Sequence, residues 1–212
     1  APLPVVTVHP YKGKPTVFID GTPHALPGYS TFNREAWDKD LPLFYEHELG
    51  VYFIEPPVLG WDTDTIIDPS TEMTGNRISL DEMAERTVAG DPDAWIIVRF
   101  TPRAPASWQA QHPQEYFIAD DGTIPSAEPA PSLASEVFRE SSARVTEGVI
   151  RYVESRPWAH RVIGYAHFHV TEGTHGPVHQ AWLFDHNPLM QYSYRNHLRS
   201  KYKTDAALRT AW

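Results

Sequence analysis

The sequence contains no cysteine. Disulfides and thiolate zinc sites are thereby excluded, and the redox compartment stays open, because a cysteine-free chain is at ease in any of them. There is no apolar run of about 18 residues, so no membrane-spanning helix is expected. Basic residues are scarce: 18 Lys and Arg stand against 27 Asp and Glu, a formal net charge of −9, and nowhere do about five or six cations follow one another. Nucleic acid and membrane surfaces are therefore not expected as partners, and a neutral or cationic ligand fits better. The opening stretch APLPVVTVHP has neither the charged nor the apolar region of a leader peptide. It begins at Ala1 without Met, which suggests a processed or excised start.

Aromatic side chains are plentiful, with seven Trp, ten Tyr and nine Phe. Most such rings fill cores, and the remainder can stack on the apolar faces of sugars. A chain of 212 residues that is 41% hydrophobic can bury one sizeable core, so a single domain over residues 1–212 is the expectation.

Hydrophobic spacing gives the elements. TVFIDGTPHAL (16–26) reads as two short extended runs about Asp20-Gly21, a dipeptide that favours a two-residue hairpin turn. NREAWDKDLPLFYEHELG (33–50) places Trp37, Leu41, Phe44, Tyr45 and Leu49 three and four apart, which predicts a helix with Pro42 as its weak point and Gly50 as its stop. VYFIEPPV (51–58) and AWIIVRFTP (94–102) read as buried strands ended by proline. Between them Ser79 and Glu82 form a capping box, so a helix starts there and ends near Gly90. Residues 103–132 read as a long loop, and Trp108, Tyr116 and Phe117 argue that it is ordered, since long loops in compact domains are functional or disordered. A helix over 135–157 carries Phe138, Val145, Val149, Tyr152 and Val153 on one face. RVIGYAHFHV is the next buried strand, and the chain finishes with a helix, a break at Lys203–Thr204 and a short second helix.

Short apolar runs alternating with helices indicate a parallel α/β architecture. Strands near residues 25, 52, 96 and 163, each followed by a helix, make four β/α units after a short N-terminal β-hairpin. An eight-unit barrel needs about 250 residues. The chain is thus either an open four-stranded sheet or the first half of a barrel.

Three stretches, TPRAPASWQAQHPQEYFIADDG, PSLASEVFRESSARVTEGVIRYVESRPWAHRVIGY and YRNHLRSKYKTDAALRTAW, together resemble the third and fourth units of the glycoside hydrolase family 42 β-galactosidases, members of a retaining (β/α) barrel clan. The resemblance spans about residues 15–212 and is patchy before residue 90. It implies a TIM-barrel-type fold of which this chain is the first four units, a half barrel. It also implies a retaining glycosidase acting on a neutral sugar, with no cofactor. Such an enzyme uses two carboxyl groups about 5 to 5.5 Å apart, both at the C-terminal ends of barrel strands. By the resemblance Glu172 is the general acid/base; this sequence has Thr171 before it where the family has Asn, and about two extra residues between Gly164-Tyr165 and the glutamate. A proton donor there needs a raised pKa, from burial or from the nucleophile's charge. Glu55, which ends the second strand within IEPPV, would face the pocket or pair with Arg99, or both. Trp108 and Trp182 are candidate sugar platforms or packing residues, and His169 a pocket residue. The family's nucleophile sits on the seventh strand, outside this chain, so the partners implied are a carbohydrate substrate and either the C-terminal half of the barrel or a second copy, since a half barrel exposes strand edges.

Two other readings stay open. His167 and His169 alternate on a strand and are followed by Glu172, His175, His179 and His186; His167, His169 and His175 or His179 could hold a divalent metal with open positions. A half barrel without its nucleophile could instead be a non-catalytic carbohydrate-binding remnant.

Overall fold

The computed structural model describes residues 2–25, 27–30, 34–47, 50–55, 79–100, 102, 104–124, 130–167 and 185–212. They form two compact units, one drawn from residues 1–101 and 146–168 and the other from 102–145 and 169–212.

The first unit opens with a three-stranded antiparallel sheet, β1 (Val6–Tyr11), β2 (Lys14–Ile19) and β3 (Thr22–His24), in that order. Lys12-Gly13 and Asp20-Gly21 supply the turns. All four residues have positive φ, and the pairs Tyr11↔Lys14 and Ile19↔Thr22 close two-residue loops, as the mirror-image turns of tight hairpins require. The expected hairpin is thus extended by a strand at its front, where Val6, Thr7 and Val8 supply β-branched residues. A four-stranded sheet follows, β4 (Gly28–Ser30), β5 (Val51–Ile54), β6 (Trp95–Phe100) and β7 (Val162–His167), in sequential order and parallel throughout. Its first strand is not the run near residue 25. Thr22–His24 pairs antiparallel with β2, and the first parallel strand lies just beyond it at Gly28, after Pro27, which cannot donate to a ladder.

One face of the parallel sheet carries the core. Tyr52 and Ile54 of β5 and Ile96, Val98 and Phe100 of β6 are at most 1% exposed, and they pack with Leu80, Met83 and Ala84 of α2 (Leu80–Gly90) and with Val149 and Val153 of α4 (Glu136–Glu154). Helix α1 (Arg34–Glu46) adds Leu41, Phe44 and Tyr45. Pro42 lies inside α1 without ending it; packing of its neighbours outweighs the lost backbone bond. Helix α2 begins as its capping box predicts, Ser79 Oγ accepting from the Glu82 amide at 3.2 Å. In its first turn Asp81 accepts hydrogen bonds from the Tyr152 hydroxyl and from Trp158 Nε1, with Arg156 at 3.6 Å. That carboxylate ties the start of α2 to the segment leading into β7.

In the second unit the described part of the long loop, residues 104–124 and 130–132, is structured. It contains a short helix α3 (Ala106–Gln111) and a 3-10 turn, Pro113–Glu115. Trp108, Tyr116, Phe117 and Phe138 are 3% exposed or less, and the ring of Trp108 meets those of His112, Tyr116 and Phe138. Ser135 Oγ caps α4 through the Phe138 amide. Helices α5 (Pro188–Tyr202) and α6 (Asp205–Ala211) close the chain, with the break at Lys203, whose φ is 63°.

Two measurements check this packing. A Cβ built on Gly90, at the end of α2, would lie 1.9 Å from Cε2 of Tyr45. Glycine to alanine in a helix ordinarily stabilises by about 0.5–1 kcal/mol. Here the overlap dominates, and Gly90→Ala should cost about 1–3 kcal/mol in urea unfolding, reverting to neutral or stabilising in a Tyr45→Ala background. Burial also pushes the hydroxyls of Tyr45, Tyr152 and Tyr165 up to about 12, and raises those of Tyr52 and Tyr116 further. Between pH 10 and 12 the unfolded chain loses these protons and the folded chain keeps them, so stability present below pH 10 falls as pH rises. Tyrosinate absorbance should therefore climb in step with unfolding over that window.

Candidate functional site

The alternation that fills the core also decides what lies on the opposite face of the parallel sheet. Along β6 burial alternates strictly, with Ile96, Val98 and Phe100 inside and Trp95, Ile97 and Arg99 half-buried on the other side. In β5, Ile54 pairs with Val98, which puts Phe53 and Glu55 on the face of Ile97 and Arg99. Glu55 and Arg99 therefore come together near the C-terminal ends of adjacent strands. Arg99 Nη2 lies 3.5 Å from Glu55 Oε2, with side chains 18% and 20% exposed.

Around this pair the face is small and apolar. On β7, Gly164 pairs with Ile97 and Ala166 with Arg99. No described residue lies within 4 Å of a Cβ placed on Gly164, so β7 contributes only small residues to this face beside Ile97 and Arg99. On β4, Gly28 lets the ring of Phe53 lie across it, since a Cβ there would be 2.8 Å from Phe53 Cε2. A carboxylate and a planar guanidinium held together beside apolar side chains have the chemistry to accept from and donate to hydroxyls, with Phe53 and Ile97 as apolar neighbours.

The other expected site residues separate into those described and those outside. Trp108 is 3% exposed, with its ring enclosed by His112, Tyr116 and Phe138, so it takes the packing alternative rather than offering an open platform. His167 ends β7, paired with Phe100 in the ladder. His186 is exposed, and its backbone amide bonds Ile118 O at 2.8 Å. Glu172, His169, His175, His179 and Trp182 lie outside the described residues. Among the described residues, no three of His, Cys, Asp and Glu form a group fit to hold a metal, and no helix is long and apolar enough to cross a membrane.

Two structured positions next to that segment escaped the sequence reading. Asn187, 1% exposed, donates from Nδ2 to the carbonyls of Gln114 and Tyr116, and its Oδ1 accepts from the Leu189 amide as the N-cap of α5. Asp185 Oδ1 accepts from the amides of Ile118 and Asn187. The Asn-Pro dipeptide is a helix-start signal, but only the fold shows that the same amide also fastens α5 to the 113–118 turn.

The Glu55–Arg99 pair can be measured directly. A double-mutant cycle of Glu55→Gln and Arg99→Met, read by chemical denaturation, should give a coupling energy of about 1 kcal/mol, as expected for a half-buried ion pair. A coupling of zero would mean that the two side chains do not act on one another.

No protein-family model matches the chain, and no curated protein does. A solved structure with a similar fold is the cold-adapted β-galactosidase from Rahnella sp. R3, with a TM-score of 0.57 and 17% sequence identity over 88% of this chain. The match takes in 26% of that protein, so the present chain spans about a quarter of its length.

Proposed function

We propose that this chain is the first half of a TIM-barrel glycoside hydrolase of the retaining, β-galactosidase-like kind, resembling family 42, with residues 1–212 forming part of one barrel domain. The observation that carries the reading is the pairing of Glu55 with Arg99 near the carboxyl ends of adjacent strands in a sequentially ordered parallel sheet, the end at which barrel enzymes build their sites. The fold shared with a β-galactosidase supports it.

In this reading the Glu55 and Arg99 side chains orient sugar hydroxyls, with His169 and Trp182 as further pocket residues. Glu172 protonates the glycosidic oxygen as the bond to the anomeric carbon breaks. A carboxylate outside this chain attacks that carbon to form a glycosyl ester, and Glu172, now ionised, takes a proton from the water that hydrolyses it. The polypeptide carrying the nucleophile is the C-terminal half of the barrel. No cofactor takes part.

The test separates the two carboxylates. Residues 1–212 alone should not hydrolyse nitrophenyl β-galactoside. In a longer protein that supplies the nucleophile, Glu172→Gln should lower kcat/KM about 10²–10⁴-fold on substrates with poor leaving groups. A general acid works while protonated, so it is the alkaline limb of the pH profile that should flatten. Unchanged activity and an unchanged alkaline limb would remove Glu172 from the role.

A further inference from the structure

We draw no further inference here: the strongest candidate, the Asp185 carboxylate where residues 185–187 bond the 113–118 turn, with its Oδ2 buried and without a hydrogen-bond partner among the described residues, carries nothing, because its Oδ1 is taken up by the amides of Ile118 and Asn187 that fasten α5 to that turn and no metal-binding group forms among the described residues.

Discussion

The structure of the first unit depends on one constraint: β5 and β6 must bury the same face against α2 and α4. Tyr52, Ile54, Ile96, Val98 and Phe100 have almost no solvent exposure, and at about 25 cal/mol per Å² of apolar surface such side chains supply the dominant favourable term. A strand that commits alternate residues to a core has no freedom left in the others. Glu55 and Arg99 stand together on the opposite face because their neighbours are buried. A one-residue slip would carry both charges into the helix-packed layer, where neither could be solvated, so the core and the polar pair enforce the same register.

Polar groups finish what burial begins, through the acceptor Asp81 in the first unit and through Asn187, chiefly a donor, in the second. In the first, Asp81 gathers a phenol, an indole and a guanidinium drawn from residues 152–158. In the second, Asn187 bonds two carbonyls of the 113–118 turn while capping α5. Both residues lie in the first turn or at the cap of a helix, and Asn187 also accepts from the Leu189 amide, which would otherwise be unsatisfied, so that one side chain serves local and tertiary structure together.

Much of this was legible in the sequence wherever one local rule sufficed. VYFI, WIIVRF and VIGYAH are too continuously apolar to be anything but buried strands, Ser79 and Glu82 announce a helix start, and Asp20-Gly21 a turn. The Glu55–Arg99 pair was foreseeable because both residues close apolar strands that had to be neighbours. What was missed has no local signature. Gly28–Ser30 is three residues long with no periodicity, and becomes a strand only by pairing with β5. Helix α3 starts at Pro105 with no side-chain cap, and is built around Trp108, whose ring partners include Phe138, far along the chain. Trp108 was legible as a sign of order, but its burial was not, since an indole in a loop looks the same to the sequence whether it faces a ligand or a core.

Between Ile96 and Ile97 the ladder to β7 slips by one residue. Val162 faces Ile96 and Gly164 faces Ile97, which leaves Ile163 unmatched. Bulges of this kind change the phase of a strand. Counted in strict alternation from Val162, Tyr165 would fall on the face of Arg99; after the slip it joins the helix-packed layer, and Gly164 and Ala166 take its place. The extra residue thus sets the methyl of Ala166, in place of the phenol of Tyr165, beside Arg99, and the small side chains of β7 on this face follow from a shift in counting rather than from the removal of a large side chain.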